Sequence, residues 1–284
     1  MNYDFEIADL LLRVESAFNL PQLYELEAFC VKHKPERQPD LVYTLTLLPD
    51  SWQLRGEPIY GDSCISVYRC KNAFHRYYYW SVGSKSRFVL SVFGADPGKI
   101  TLYLQRQTLE RLLPRLRLSA FLSLEKILLQ QDAFLLHASV IDWKGKGILF
   151  TAPSGTGKST QAELWRLYEN AHIINGDRGL LRFAATGWRV YGSPYAGSSG
   201  IYTNLSAPVA CIVVLSQGPE NRLKQLSPMA AFQHLYRGTT VPTWDTEAVE
   251  VGTVLLLKLL ETVPVYHLSC RPDRDAVEVL KQVL

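Results

Sequence analysis

The chain has 284 residues, of which 47% are hydrophobic, enough for one large domain or two smaller ones with a substantial core. The net charge of +3 comes from 30 basic and 27 acidic residues without long runs, so neither nucleic acid nor a membrane is expected as a partner. Five irregularly spaced cysteines contain no CxxC pair, which argues against a zinc site or a redox dithiol and fits a reducing compartment. The N-terminus has no basic segment leading into an apolar stretch, and the longest apolar span, VGTVLLLKLLETV, is too short to cross a bilayer. We therefore expect a soluble, cytoplasmic protein.

Short strands dominate the predicted structure of residues 1–115. A helical pattern over residues 9–18 comes first. Aromatic and β-branched runs then alternate with turns, in the segments LVYTLTLL, CISVYRC, HRYYYWSV, RFVLSVF and KITLYL. The pattern predicts an α+β N-terminal domain, mainly antiparallel β, over residues 1–115.

A leucine-rich segment over residues 109–131 is the predicted joint, where Pro114 is expected to start or kink a helix. From residue 133 onward strands alternate with helices, which is typical of an α/β domain. Strands are predicted in FLLHASVI, GILFTA, HIIN, LLRF, WRVYG, CIVVLS and PVYHLSC, with LLRF and WRVYG paired across the turn AATG. Helices are predicted over residues 158–168 and in SPMAAFQHLYR, TEAVEVGTVLLLKLLETV and DRDAVEVLKQVL. We assign residues 116–284 to this second domain.

Residues 152–159, APSGTGKS, fit the P-loop spacing GxxxxGK[ST], except that Ala152 replaces the first glycine. The glycines let backbone amides converge on phosphate oxygens, and the following helix N-terminus adds positive potential. Lys158 is predicted to reach the β- and γ-phosphates of ATP, and the Ser159 hydroxyl to hold Mg²⁺. The predicted nucleotide-binding residues are Ser154, Gly155, Thr156, Gly157, Lys158, Ser159 and Thr160. The alternative is a glycine-rich turn before an ordinary helix, with Lys158 solvated.

The segment LLHASVIDWKGKGILFTAPSGTGKST and the later IINGD resemble the kinase domain of HPr kinase/phosphorylase and the nucleotide-binding core of phosphoenolpyruvate carboxykinase. The likeness covers residues 133–284 and does not extend to the N-terminal β domain. It implies an α/β P-loop domain of the HPr kinase and phosphoenolpyruvate carboxykinase type, in a divergent member of that superfamily. It also implies ATP and Mg²⁺ as cofactors.

The resemblance also implies roles for individual side chains. His137 matches the family histidine, Lys158 the P-loop lysine, and Asp177 the first aspartate of an acidic pair. Arg178 stands where the family has the second aspartate, so it is expected either to weaken Mg²⁺ binding or to act as an additional phosphate clamp. The predicted catalytic residues are Asp177, Lys158, His137 and Arg178. The predicted metal ligands are Ser159 and Asp177.

Several of these residues have simpler interpretations. Asp177 follows the strand HIIN, where open α/β sheets collect ligands, but NGDRG also suits a turn or N-cap aspartate. His137 lies in an apolar run, where a hydrogen-bonded core histidine is the more common case. The loop over residues 191–204, YGSPYAGSSGIYTN, suits a substrate or phosphate contact as well as a plain connection. We interpret Arg222 and Lys224 as a solvated face.

These features predict a kinase that transfers the γ-phosphoryl group of ATP to a hydroxyl of a protein, a peptide or a small molecule. Asp177 is expected to bind the metal or to accept the hydroxyl proton, and it cannot easily do both. The alternatives are an ATP-binding sensor without phosphoryl transfer, which the Arg178 replacement favours, and an unspecific ATPase. Oxaloacetate decarboxylation is disfavoured by the short chain, and a dual kinase/phosphorylase by the lack of the signature that follows the acidic pair. Acceptor identity, homo-oligomer formation and the use of ADP or pyrophosphate remain open.

Acceptor selection is assigned to the N-terminal domain, because every nucleotide-binding motif lies after residue 133. The run HRYYYWSV is its candidate surface, in which Tyr77, Tyr79 and Trp80 can stack on a ligand or pack against a peptide. Alternating strand residues such as Tyr77 and Tyr79 are, however, more often buried together on one face.

Overall fold

The computed structural model describes residues 1–33, 35–79 and 87–284. Over these residues the fold is mixed α+β, with one large sheet in each of two compact units, Met1–Ser123 and Leu124–Leu284. Within the same residues, no helix has both the length and the apolar character needed to span a membrane.

The sheet of the first unit is mainly antiparallel, as the sequence predicts. Its strands lie in the order β1-β2-β3-β8-β7-β6-β5-β4, and the pairs β2–β3 and β3–β8 are parallel while the other five are antiparallel. The described strands are β1 (Asn2–Ile7), β2 (Leu10–Ser16), β3 (Leu41–Leu47), β4 (Glu57–Gly61), β5 (Ile65–Cys70), β6 (Ala73–Tyr79), β7 (Arg87–Phe93) and β8 (Lys99–Leu104). The helical segments are α1 (Leu109–Leu112) and the 3-10 helices Tyr24–Phe29, Arg106–Thr108, Leu113–Arg115 and Leu118–Phe121.

The helix predicted over residues 9–18 is wrong, because this segment forms a β-hairpin. β1 pairs with β2 in antiparallel register, and the turn residues Ala8 and Asp9 have φ values of 54° and 60°. Left-handed conformations at both turn residues are those of a tight two-residue hairpin. Leu10, Leu11 and Leu12 are all buried, so the period-2 pattern of β2 is hidden by three consecutive leucines.

In the described part of the aromatic run, residues 75–79, the side chains are buried or half-buried. Tyr77 is only 4% exposed and its hydroxyl accepts a hydrogen bond from Trp52 Nε1 at 3.0 Å, which agrees with the burial expected for alternating strand residues and excludes Tyr77 from a stacking surface. Tyr79 is half-buried and donates a hydrogen bond to Ser66 Oγ at 2.8 Å. Trp80, the third residue of the predicted surface, lies outside the described residues.

The second unit contains the elements predicted for the α/β domain, together with two further strands. Its described helices are α2 (Leu124–Ile127), α3 (Lys158–Glu169), α4 (Pro228–Gly238), α5 (Thr246–Leu260) and α6 (Arg274–Lys281), with 3-10 helices at Leu128–Gln131 and Gly197–Ser199. Its described strands are β9 (Ala133–Trp143), β10 (Lys146–Thr151), β11 (His172–Asn175), β12 (Arg178–Ala184), β13 (Gly187–Tyr191), β14 (Ser206–Gln217), β15 (Arg222–Gln225), β16 (Thr239–Thr240) and β17 (Val265–Cys270).

Two long strands organise this sheet. The first half of β9 pairs with β12 and β16, and the second half pairs with β10 and β11. β14 pairs with β13 at its start and then runs parallel to both β10 and β17. β15, which the sequence did not predict, pairs with β17 and exposes Arg222 and Lys224, in agreement with their interpretation as a solvated face.

Helices cover both faces of the second sheet. α4 and α5 contribute Leu235 and Leu256 to one buried cluster, while α3 and α6 contribute Trp165 and Val277 to the other. Successive residues of β10 alternate between the two clusters, as expected for a strand that is buried on both sides. The second sheet is therefore buried between two layers of helices.

Candidate functional site

A glycine-rich connection, residues 152–157, joins β10 to α3, and we call it the glycine loop. Gly155 and Gly157 have φ values of +79° and +119°, which L residues rarely adopt, and the space beside each is open. Gly157 begins α3 without a side-chain cap in the described chain, whereas α4, α5 and α6 each begin with a capping side chain. The first backbone amides of α3 are therefore left without a capping side chain, and a helix N-terminus of this kind attracts anions.

The predicted nucleotide-binding residues all lie in the glycine loop or in the first turn of α3: Ser154, Gly155, Thr156, Gly157, Lys158, Ser159 and Thr160. Lys158 is 8% exposed, and its Nζ donates hydrogen bonds to the carbonyl oxygens of Ala152 at 2.9 Å and Pro153 at 3.3 Å. Burial lowers the pKa of Lys158, and the negative charge of Asp177 opposes that shift. Lys158 is thus a buried cation held over the loop rather than a solvated side chain, while Ser159 is exposed.

The glycine loop and Asp177 share one edge of the sheet. β10 and β11 lie on either side of β9 and both run antiparallel to it, so their carboxyl ends point the same way. The backbone carbonyl of Asp177 accepts a hydrogen bond of 2.9 Å from the amide of Ala138, the residue after His137. The strand pairing therefore places Asp177 beside His137, in the middle of β9.

The turn that carries Asp177 is built by a buried asparagine that the sequence interpretation missed. Asn175 is fully buried, and its Oδ1 accepts hydrogen bonds from the amides of Asp177 at 2.8 Å and Arg178 at 2.7 Å. Its Nδ2 donates to the Ser193 carbonyl at 2.9 Å, and Ser193 Oγ donates to the Arg178 carbonyl at 2.7 Å. Because the Asn175 side chain accepts the turn's backbone hydrogen bonds, the carboxylate of Asp177 contacts other groups.

Both oxygens of that carboxylate approach basic side chains. Asp177 Oδ1 lies 3.4 Å from His137 Nδ1, and Oδ2 lies 3.5 Å from Arg178 Nε. His137 and Arg178 face each other in the register of β9 and β12. A Cβ placed on Gly197 would lie 2.5 Å from Asp177 Cγ, so the predicted loop over residues 191–204 packs directly against this side chain. The four predicted catalytic groups are thus near one another.

His137 is half-buried, and burial is the main reason why its pKa is lowered. The positive charges of Lys158 and Arg178 lower the pKa further, while Asp177 raises it. Together these effects favour the neutral imidazole. A neutral ring beside Asp177 can exchange a proton, whereas a charged ring would repel Lys158.

A cavity of about 550 Å³ opens next to these groups, and we call it the basic pocket. Its polar lining includes His137, Arg178, His234, Arg237, Thr239 and Thr240, and Ala152 and Pro153 of the glycine loop also border it. Arg178 Nη1 donates a hydrogen bond to Thr240 Oγ1 at 3.0 Å. The residues from α4 and β16 escaped the sequence interpretation because they are about 60 positions from Arg178 and reach it only through the pairing of β16 with β9.

A family model described as SynChlorMet cassette protein ScmC matches residues 116–284, which is more than half of the chain. The chain belongs to the ScmC family. No curated protein matches the sequence. Among solved structures, the HPr(Ser) kinase/phosphatase from Coxiella burnetii is similar, with a TM-score of 0.30 and 12% identity, and the match covers 52% of this chain and 93% of that chain.

Proposed function

We propose that the protein is an ATP-dependent kinase whose second unit is a P-loop domain of the HPr kinase and phosphoenolpyruvate carboxykinase type. It transfers the γ-phosphoryl group to a hydroxyl of a protein, a peptide or a small molecule in the cytoplasm. The observation that carries this proposal is the buried ammonium of Lys158 beside an uncapped helix end. Burying a cation is costly unless an anion compensates it, and two carbonyl oxygens compensate it only partly. A phosphate group in the glycine loop would supply the missing negative charge.

The side chains have distinct roles in this proposal. Lys158 turns from the loop carbonyls to phosphate oxygens, and the first amides of α3 bind the same oxygens. ATP would supply the phosphoryl group, and bound Mg²⁺ would neutralise part of its charge. Asp177 and Ser159 hold the metal, or Asp177 accepts the proton of the attacking hydroxyl. Mg²⁺ usually takes one or two carboxylates together with phosphates and water, so the single carboxylate of Asp177 fits a nucleotide-bound metal.

The proposal is tested by separating nucleotide binding from phosphoryl transfer. Lys158→Ala is expected to weaken ATP binding at least about tenfold, because it removes a charge-assisted contact to phosphate. Asp177→Asn should retain most of the ATP affinity and lose phosphoryl transfer in single-turnover assays. Arg166→Ala is the matched control, since Arg166 lies on α3 but is exposed and pairs with Glu163. Unchanged ATP affinity of Lys158→Ala in titration calorimetry would refute this nucleotide site.

An ATP-binding sensor is the second candidate, and the contacts of Arg178 favour it. Arg178 and His137 lie beside the two oxygens of Asp177, so a metal at this carboxylate would have two basic side chains next to it. A sensor is expected to bind ATP without turnover, and an unspecific ATPase to release phosphate without an acceptor. A kinase consumes ATP only with an acceptor, which can be sought among proteins encoded by neighbouring genes. Arg178→Asp restores the second acid, so increased Mg²⁺-dependent turnover in this variant would support a metal site weakened by Arg178.

A further inference from the structure

The basic pocket lies directly beside the glycine loop. Ala152 and Pro153 border the pocket, and their carbonyl oxygens hold the ammonium of Lys158. A group bound in the pocket would therefore be next to the terminal phosphate of a nucleotide in the loop. This is the position that an acceptor must occupy for direct transfer.

The ionisable side chains that line the basic pocket are all arginines and histidines. Its ionisable lining groups are His137, Arg178, His234 and Arg237, and no aspartate or glutamate belongs to the lining found in the described chain. Arg237 is exposed and has no ion pair with any described carboxylate. Arg178 uses Nη1 for Thr240 and Nε for Asp177, which leaves Nη2 directed to neither of them. The Arg237 guanidinium is thus available for an anion, and Arg178 lines the same pocket while it also contacts Asp177, Thr240 and the Tyr195 ring.

The pocket wall is held firmly by the backbone. Thr239 and Thr240 of β16 pair with Leu136 and Leu135 of β9, immediately before His137. A Cβ on Gly238 would lie 3.2 Å from Leu136 Cδ1, so the end of α4 already lies close against the sheet. The backbone at Arg237 and Thr240 is therefore held on both sides of this contact.

We propose that the basic pocket is the acceptor site and that the acceptor carries an anionic group, a carboxylate or a phosphate, which Arg178 and Arg237 bind. This inference rests on the proposed kinase function. A volume of about 550 Å³ accommodates a small molecule or a short segment of a larger acceptor. The first unit can still select a large acceptor, while the basic pocket orients the hydroxyl group near the phosphate.

The test uses three small probes and the full chain. D-Glycerate carries a hydroxyl and a carboxylate, glycerol 3-phosphate carries a hydroxyl and a phosphate, and glycerol is uncharged. Binding is followed by the side-chain NMR signals of His137 and His234, which are assigned with the variants His137→Gln and His234→Gln. We expect at least one anion to shift both signals and glycerol to shift neither, and the responding anion identifies carboxylate or phosphate as the recognised group. Arg237→Ala should weaken that binding about tenfold, because it removes a hydrogen-bonding charge.

The matched control is Arg222→Ala, which removes an exposed arginine of β15 that is not part of the pocket lining. It should leave the shifts unchanged. The inference is overturned if neither anion shifts the two signals at about 10 mM, a weak-binding limit, if glycerol shifts them equally, or if Arg237→Ala binds as wild type does. ATP titration of the same samples separates the two proposals: retained ATP binding without anion binding refutes only the acceptor site, whereas lost ATP binding refutes the nucleotide site.

Discussion

Gly197→Ala is expected to displace Asp177 without touching any of the predicted nucleotide-binding residues. The new Cβ would lie 2.5 Å from Asp177 Cγ, 2.7 Å from Oδ1 and 2.8 Å from Cβ. Carbon atoms pack at about 3.5–4.0 Å, so the two groups must separate by about 1 Å. The contacts of Asp177 with His137 and Arg178 are already 3.4 and 3.5 Å long, so this shift is large enough to break them. A misplacement of about 1 Å in a catalytic group can reduce a rate about 100-fold.

Gly200→Ala is the matched control for this prediction. Gly200 has φ of +65° and Gly197 of +54°, so alanine at either position costs about 1 kcal/mol in backbone strain. The space beside Gly200 is open, and therefore only the variant at Gly197 moves Asp177. The difference between the two variants isolates the displacement of the carboxylate from the strain of the loop.

Two measurements detect this displacement of Asp177. The proposed phosphoryl transfer should fall about 100-fold in Gly197→Ala and little in Gly200→Ala. Gly197→Ala should also lose more thermal stability, because it adds the overlap with Asp177 to the backbone strain. Asp177 raises the pKa of His137, so the pKa of His137 measured by NMR should fall in Gly197→Ala and stay constant in Gly200→Ala. The second measurement does not depend on enzyme activity. An unchanged His137 pKa in a folded Gly197→Ala protein would refute the proposed contact between the loop and Asp177.

Two further predictions concern stability. Asn175→Ala leaves two amides and the Ser193 carbonyl without their buried partner, so the free energy of unfolding in urea should fall by about 1–3 kcal/mol or more. Asn221→Ala is the control and should cost less, because Asn221 bonds to an exposed turn. Equal losses in the two variants would contradict this role of Asn175. Burial lowers the pKa of His137 and His267, so below about pH 6.5 the unfolded chain binds more protons than the folded chain. The melting temperature should therefore decrease as the pH falls, and His137→Gln should make that decrease smaller. An identical pH profile in wild type and His137→Gln would contradict the lowered pKa of His137.

The order of elements in the second unit could be predicted because each long strand and helix has a clear period. β9, β10 and α3 follow one another around APSGTGKS, and α5 and α6 have apolar residues at helical spacing. β15 and β16 could not be predicted in the same way. β15 is the polar segment RLKQ, and β16 has two residues whose pairing with β9 depends on contacts distant in sequence. Pairing partners, rather than local propensity, define these strands.

Some residues of the candidate site could likewise be predicted from the sequence, and others could not. Lys158 and Asp177 were found because a motif and a strand end mark them, and the structure brings them near each other. Asn175 was missed, although a polar residue at the end of the apolar strand HIIN and before a Gly-Asp turn is a recognisable turn former. His234 and Arg237 were missed because, within the sequence, they are polar residues of an amphipathic helix. Only the packing of α4 on the sheet gives them a shared cavity with Arg178.

The charge balance of the site follows from Arg178. Near the glycine loop, Lys158 and Arg178 contribute two positive charges and Asp177 one negative charge, which leaves +1 for these three side chains. An aspartate in place of Arg178 would give one positive and two negative charges, or −1. A site with net positive charge disfavours a free divalent cation and favours an anionic nucleotide. Mg²⁺ should therefore enter this site only together with ATP, whose phosphates reverse the local charge. Calorimetry with MgCl₂ alone is expected to show no binding at the site, and a nucleotide-independent Mg²⁺ signal that disappears in Asp177→Asn would contradict this argument.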